Sequence, residues 1–294
     1  MKSPEFDYVK VRTLEQAIAL LDANGDEARI LAGGQSLLAA LNMRLSEPSL
    51  LIDICGLASL RGISVVGSYL RIGALATHTD IENSELVAQH APLLSLAVGR
   101  IAHRAVRNAG TWGGSIAYAD PAAEWPCCLL AMDGWVLVRG PRGERRIAAA
   151  DFFTGLYTTA LADNEILVAC DLPLAQRDDW FGFEELARRS GDYAICGLAM
   201  VIRFSGPMIV SARLGWLGLA ATPLRSRRTE AVLVGQRLDG ATLQGVVDSL
   251  NVELNPLADL TNTGSTKKHL ATVLARRLLE QALATRKSLH GGLH

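Results

Sequence analysis

Two stretches of this 294-residue chain combine paired glycines with small hydroxyl side chains. The first is Leu31, Ala32, Gly33, Gly34, Gln35, Ser36 and Leu37. The second runs from Ala109 to Pro126 and contains Gly110, Thr111, Gly113, Gly114, Ser115, Asp120 and Glu124. Without a Cβ, glycine lets backbone N–H groups approach a ligand closely, and successive N–H groups form a concave nest for anions. Two Gly-Gly-(x)-Ser turns in one chain point to two loops gripping one phosphate-bearing ligand. Asp120 and Glu124, 7 and 11 residues beyond Gly113, can accept hydrogen bonds from sugar-like hydroxyls. The same acids also fit helix capping, because Asp120-Pro121 followed by Glu124 has the order of an N-cap, a proline at the first helical position and an acid in the first turn.

Other chemistries fit poorly. The G-x-G-x-x-G fingerprint of a dinucleotide-binding Rossmann sheet is missing. Gly264-Ser-Thr-Lys-Lys268 lacks the upstream glycine and residue order of a phosphate loop and reads as a helix cap. Gly113-Gly-Ser-Ile-Ala117 departs from a nucleophile elbow at its last residue. His78, His90 and His103 lack the spacing of metal ligands, so no metal site is expected, and no histidine is marked as the partner a serine hydrolase would need. The five cysteines (55, 127, 128, 170 and 196) show no C-x-x-C spacing and read as reduced, mostly buried thiols. A net charge of −1 gives no polyanion footprint, and nucleic acid is not an expected partner. No run is long and apolar enough for a membrane span. Met1-Lys-Ser-Pro-Glu-Phe6 has no apolar core of the kind a signal peptide needs, so a cytoplasmic location is expected.

These loops need elements to hold them. Tyr8 to Val11 read as a short first strand; Thr13 and Gln16 have capping-box spacing ahead of a helix that buries Leu14, Ala17, Ile18 and Leu21 and stops at Asn24-Gly25. Ala28 to Leu31 is a strand entering the first glycine turn, with Ser36 placed to cap a helix from Leu37 to Leu45, and Leu50 to Ile54 completes a small α/β unit. Ile63–Val66 and Tyr69–Ile72 form a hairpin over Gly67-Ser68. A helical region spans about 80–103 with a break near Pro92. Trp135–Val138, Glu144–Ile147 and Glu165–Leu172 are strands. The polar segment Pro173 to Asp179 marks a boundary. Beyond it come two antiparallel strands, Ala194–Phe204 and Met208–Leu217, then helices from Ser226 to about Gly235, 241–250 and 266–285, an α+β pattern. The segment from Gly291 to His294 reads as a frayed tail. The domains implied are residues 1–57, 58–175 and 180–288.

Taken together, Ala32-Gly-Gly-Gln-Ser-Leu37, Ile72-Gly-Ala-Leu-Ala-Thr-His78 and the run Val106 to Glu124 resemble the FAD-binding medium subunit of molybdenum hydroxylases, the xanthine dehydrogenase family, in its aerobic carbon monoxide dehydrogenase type. Arg188-Arg-Ser-Gly-Asp-Tyr-Ala194 and the C-terminal helices match in type and order, so the resemblance covers nearly the whole chain. It implies an α+β flavoprotein of the vanillyl-alcohol oxidase-like (PCMH-type) fold, with two subdomains holding FAD and a C-terminal domain of a small antiparallel sheet and helices. By the resemblance, Leu31 to Leu37 together with Thr111, Gly113, Gly114 and Ser115 cradle the FAD pyrophosphate. Glu124, and less directly Asp120, sit near the ribityl chain; Tyr193 and Leu167 adjoin the flavin ring. Two residues depart from the family pattern: Trp112 stands where isoleucine or leucine is usual, and Tyr118 where histidine is common. Both bear on flavin packing and acceptor access.

The resemblance further implies a heterotrimer, assembled as a dimer of heterotrimers. A large subunit carries molybdopterin and sets substrate specificity. A small subunit carries two [2Fe–2S] clusters, and this chain takes their electrons on FAD and passes them to a quinone, NAD or oxygen. The absence of cluster-type cysteine spacing here agrees with that division. Two other readings use the same fold: a standalone FAD oxidoreductase, and a structural subunit without flavin chemistry.

Overall fold

The computed structural model describes residues 2–291; Met1 and residues 292–294, the end of the expected frayed tail, lie outside the described residues. In chain order the elements are β1 (Asp7–Lys10), α1 (Leu14–Asn24), β2 (Ala28–Leu31), α2 (Leu37–Asn42), β3 (Leu50–Asp53), β4 (Ile63–Val66) and β5 (Tyr69–Gly73). Five short helices follow: α3 (His78–Glu82), α4 (Glu85–His90), α5 (Pro92–Val98), α6 (Arg104–Ala109) and α7 (Trp112–Tyr118). Then come α8 (Glu124–Ala131), β6 (Trp135–Gly140), β7 (Gly143–Ala148), α9 (Ala149–Phe152), β8 (Phe153–Gly155), β9 (Thr158–Thr159) and β10 (Ile166–Pro173). The C-terminal part holds β11 (Asp179–Ala187), β12 (Ala194–Ser205), β13 (Met208–Leu217), β14 (Leu224–Arg225), α10 (Arg227–Leu233), α11 (Gly240–Glu253) and α12 (Gly264–Gly291).

Three larger sheets organise most of the described elements, with β8 and β9 forming a separate two-stranded pair. The first is parallel, in the order β1-β3-β2, with Leu31 in register with Asp53. Its core is built from the α1 face that the spacing predicts, Ala17, Ile18 and Leu21, against Leu50, Ile52 and Ile54. Thr13 caps α1 by accepting from the Gln16 N–H at 3.1 Å, while the Gln16 side chain accepts from the Arg12 N–H at 3.0 Å. The second sheet is antiparallel, β4-β5-β10-β6-β7, and its centre strand carries an irregularity between Leu167 and Ala169. The third, β11-β12-β13-β14, is also antiparallel. No helix among the described residues is long and apolar enough to cross a membrane.

The middle and C-terminal parts share their packing. Ala199 and Val201 of β12 face the core of the middle sheet and its helices, whereas Leu198, Met200 and Ile202 face the core under α10–α12. Because β12 is covered on both faces, it reads as an unbroken apolar run. α8 crosses β12 and β13, and the fit is close at Gly215, where a Cβ would stand 2.8 Å from the Cys127 carbonyl oxygen. The Cys127 thiol donates to the Gly215 carbonyl at 3.1 Å.

Two sequence expectations change. The helical region after Asp80 is a series of one- to two-turn helices; Thr77 caps α3 and Ser84 caps α4, α5 starts at Pro92, and α5 and α6 have no side-chain cap bond. β11 is not foreseen, because Asp179, Gly182, Glu184 and Glu185 interrupt its apolar alternation; pairing along β12 holds it.

A buried arginine locks α8 to the last layer. Arg225 donates to Glu230 (2.5 and 2.8 Å), to Asp133 (2.7 Å) and to the Leu130 carbonyl (3.2 Å), and Glu230 also accepts from the Leu214 N–H at 2.8 Å. Replacing one member of such a pair leaves an uncompensated buried charge. Arg225→Met is expected to lower stability by about 3 kcal/mol in denaturant unfolding, and adding Glu230→Gln should restore part of that loss.

Candidate functional site

The first glycine segment leaves the parallel sheet at the end of β2. Its carbonyls are tied: Leu31 O accepts from the Ile54 N–H (3.1 Å), Ala32 O from the Cys55 thiol (3.0 Å) and Gly33 O from the Gln35 side-chain amide (3.2 Å). Gly34 O accepts from the Leu38 N–H and Ser36 O from the Ala40 N–H, each at 3.0 Å. None of the six N–H groups from Ala32 to Leu37 donates to an acceptor among the described residues. The result is a compact row of donors without acceptors, with Gly34 in the left-handed region (φ 71°) turning the chain. Unpaired backbone donors need a partner, and clustered ones form a nest suited to an anion.

Ser36 does not cap α2 as the sequence suggests. It already has helical backbone angles and makes no side-chain cap bond, so its hydroxyl stays available. The helix stops at Asn42 rather than Leu45, and Arg44 adopts a left-handed turn (φ 56°). With only six residues in α2, the loop's own donors matter more than a helix dipole.

The second glycine segment is the first turn of α7 rather than a loop. Thr111 caps it, accepting from the Gly114 N–H at 3.1 Å. The neighbouring donors are also committed: Trp112 to Ala76 O (2.8 Å), Gly113 to Ala74 O (2.9 Å) and Ser115 to Thr111 O (3.1 Å). What this stretch can still offer a ligand is its hydroxyls, on Thr111 and Ser115. Its glycines serve close approach to backbone: a Cβ on Gly113 would stand 2.7 Å from Ala74 Cα.

The two segments touch each other. A Cβ on Gly33 would overlap the Ala109 carbonyl and lie 2.9 Å from Gly110 Cα. Across the same contact, a Cβ on Gly114 would stand 4.0 Å from that of Ala32. Loop one therefore brings donors and loop two brings hydroxyls to one place.

The acidic turn follows directly. Ala119 ends α7 in a left-handed conformation (φ 55°) and Asp120 Oδ1 accepts from the Ala122 N–H at 2.9 Å. Asp120 thus closes a turn of its own and does not cap α8, which starts at Glu124 behind Ala123. Burial raises the Asp120 carboxyl above the ordinary range. Glu124 is pushed up to about 8 by burial, then by the charge of Glu185. Glu185, on β11, is itself raised to about 7 by burial, with Arg100 opposing, and one of its carboxylate oxygens is buried without a partner. Pro121 O accepts from the Gly218 N–H at 2.8 Å, tying the turn to the C-terminal sheet.

Aromatic side chains border this turn. Tyr193 is 73% exposed in the β11–β12 connection and lies within electrostatic reach of Asp120, Glu124, Tyr118 and Tyr157. Tyr118 meets Tyr157 edge-on at 5.2 Å. Tyr157, at the tip between β8 and β9 with φ 52°, faces the Asp120 charge, and Glu185 faces that of Glu124; no spacing in the sequence marks either residue. Leu167 is buried in the middle core, next to Val168, whose carbonyl accepts from the Ala74 N–H at 2.9 Å. Ala74 is the residue on which Gly113 rests.

Trp112 lies inside the core, 5.2 Å from Trp125, so it bears on a ligand only through the packing of α7. The Trp125 indole N–H donates to His78 Nδ1 at 2.9 Å. Burial, then the Arg107 charge, lowers His78 to about 4, so the ring is neutral. Its other nitrogen would stand 2.6 Å from a Cβ on Gly110. His78 is a buried packing element behind Thr111.

Two outcomes follow. Gly33→Val and Gly113→Val should lower the melting temperature as well as ligand binding, while Gly99→Ala, with open space around its Cβ position, should leave both unchanged. For Glu124 the folded carboxyl titrates near 8 and the unfolded one near 4.5. The folded state then loses stability as pH rises through that interval. Glu124→Gln should flatten the fall in urea midpoint between about pH 5 and pH 8.

With this geometry in place, the comparisons with known proteins agree. Residues 4–175 match the FAD binding domain in molybdopterin dehydrogenase, and residues 181–282 match the CO dehydrogenase flavoprotein C-terminal domain. The chain is 37% identical to the nicotine 6-hydroxylase medium subunit of Paenarthrobacter nicotinovorans, covering 96% of this chain and 99% of that one. It is 34% identical to the carbon monoxide dehydrogenase medium chain of Hydrogenophaga pseudoflava, over 97% and 99% of the two chains. A solved structure of carbon monoxide dehydrogenase from Hydrogenophaga pseudoflava, lacking the Mo-pyranopterin moiety of its molybdenum cofactor, superposes with a TM-score of 0.94 at 36% identity, over 97% and 99%. The α+β architecture, the two matched domains and the paired glycine segments together place this chain in the family of FAD-binding medium subunits of molybdenum hydroxylases, oxidoreductases of the carbon monoxide dehydrogenase type.

Proposed function

We propose that this chain holds one FAD with its pyrophosphate in the nest from Ala32 to Leu37, and serves as the electron-transfer subunit between iron–sulfur clusters of a small partner and an external acceptor. The observation that carries the reading is the row of six N–H groups without acceptors, in contact with Thr111–Ser115. A pyrophosphate brings several acceptor oxygens and negative charge, which such a row satisfies without lysine or arginine. The residues fit the group.

Each side chain then has a defined task. Gln35 holds the Gly33 carbonyl and with it the loop's curvature. Ser36, Thr111 and Ser115 supply hydroxyls to phosphate oxygens. Asp120, buried, and Glu124, half-buried, are both raised toward their neutral forms and are suited to hydrogen bonding with the hydroxyls of a ribityl chain rather than to repelling phosphate. Tyr193 offers an exposed aromatic face for the ring system, and Leu167 gives the neighbouring core an apolar wall. When bound, FAD supplies the redox chemistry, accepting electrons and releasing them to an acceptor that the protein admits. The remaining partner in this reading is a large subunit with molybdopterin, in a dimer of heterotrimers.

The test is direct. The purified complex should show a flavin spectrum and release FAD on denaturation; a well-folded complex reconstituted with FAD that stays colourless would overturn the proposal. Ser115→Ala removes a hydroxyl without an internal hydrogen bond. It should weaken FAD binding by about fivefold, with the melting temperature of the apoprotein unchanged.

A further inference from the structure

Behind the nest lies a small polar chain outside every glycine motif. Cys55 follows β3, the strand that pairs in register with β2. Its thiol donates to Ala32 O at 3.0 Å, and Leu31 O lies 3.9 Å away. The Cys55 N–H donates to Asp53 Oδ1 at 2.7 Å, and the Tyr8 hydroxyl donates to Asp53 Oδ2. The Arg61 guanidinium donates to Cys55 O at 3.1 Å. Tyr8 on β1, Asp53 on β3 and Cys55 beyond it thus reach the first peptide of the loop.

That peptide has a special position. In a trans peptide the carbonyl and the following N–H point to opposite sides of the chain, and the described chain has no cis bonds. Fixing Ala32 O toward Cys55 therefore aims the Gly33 N–H away from the sheet, into the row of donors. The next two carbonyls are held by the loop itself, through Gln35 and Leu38. Leu31 O, at the end of β2, is held by the Ile54 N–H; of the Ala32, Gly33 and Gly34 carbonyls, only that of Ala32 is held from beyond the loop among the described residues.

We infer that Cys55 is a positioning residue for the FAD phosphates, acting as a hydrogen-bond donor that sets the direction of the Gly33 N–H. The inference rests on the proposed reading of this loop as the FAD site. The thiol suits the task because it keeps its proton: burial first, and then the bond and charge of Asp53, push it up to about 11, with Arg61 and Lys10 opposing. A thiol in that state is a poor nucleophile, which argues for a donor's role rather than a reactive one.

The test compares Cys55→Ser, Cys55→Ala and Cys55→Val in the full-length chain within its complex, stripped of flavin and titrated with FAD. Serine keeps a donor; alanine and valine do not, and valine keeps the volume. Alanine and valine should weaken FAD binding by about five- to tenfold, and serine should stay within about twofold of the parent. Unchanged affinity in alanine and valine, or a loss in serine equal to theirs, would overturn the inference. Failure of the parent complex to bind FAD would instead overturn the site itself. The anchor is then read by amide hydrogen exchange at Leu38 and Ala40, whose N–H groups close on the loop. Faster exchange in alanine and valine but not in serine supports the anchor; equal exchange in all variants refutes it.

Discussion

The two glycine segments are arranged around one backbone contact, between Gly33 and the Ala109–Gly110 peptide. A methyl group on Gly33 would overlap the Ala109 carbonyl, and one on Gly110 would run into the His78 ring behind it; close-packed interiors relax only partially around added volume. The contact joins the end of a parallel strand to the start of α7, segments separated by almost eighty residues of chain. The supports on each side are then determined. Loop one hangs from β2 and from Cys55. Loop two hangs from the segment 74–76, which accepts the Trp112 and Gly113 N–H groups and is in turn held by β10 through Val168.

From that contact the chain runs without interruption into the C-terminal layer. α7 ends at Ala119, the acidic turn hydrogen-bonds Gly218, and α8 crosses β12 and β13 with Cys127 on Gly215. A displacement of the C-terminal sheet is therefore a displacement of the acidic turn. The packing comes with an electrostatic cost. Glu124 and Glu185 are brought together in a place where burial disfavours both charges. Buried carboxyls without ion-pair partners weaken a fold, and such groups gather at functional sites. Here they line the turn that follows the hydroxyls of Thr111 and Ser115.

The sequence is legible where one local rule acts alone. The Thr13 cap, the buried face of α1, the Gly67 hairpin and the doubly covered β12 each follow from spacing or composition. It is opaque where a residue answers to a distant segment. Asp120-Pro121-Ala-Ala-Glu124 has the order of a helix start, yet Asp120 spends its carboxylate on Ala122 and the helix begins later. Ser36 precedes a helix but already has helical angles. β11 holds its place by pairing despite Glu184 and Glu185. The adjacency of Tyr118, Tyr157 and Tyr193 is written nowhere in the spacing, because the last residue of α7 and two separate connections deliver them.

The two glycine pairs are the sharpest case. As text they are nearly the same motif, and both invite the same reading, a backbone opened for an anion. In space their backbones do opposite things. The donors from Ala32 to Leu37 have no acceptors among the described residues, whereas those from Trp112 to Ser115 each have one. What decides between the two is not the glycine but the carbonyls around it: sheet, thiol and side-chain amide bind the carbonyls of loop one and so turn its N–H groups outward, while Ala74, Ala76 and Thr111 absorb the N–H groups of loop two. A motif of small residues states that something comes close. Only the pattern of acceptors tells whether it is a ligand or another part of the chain, and in this protein each answer depends on the other, because loop two is the surface against which loop one keeps its shape.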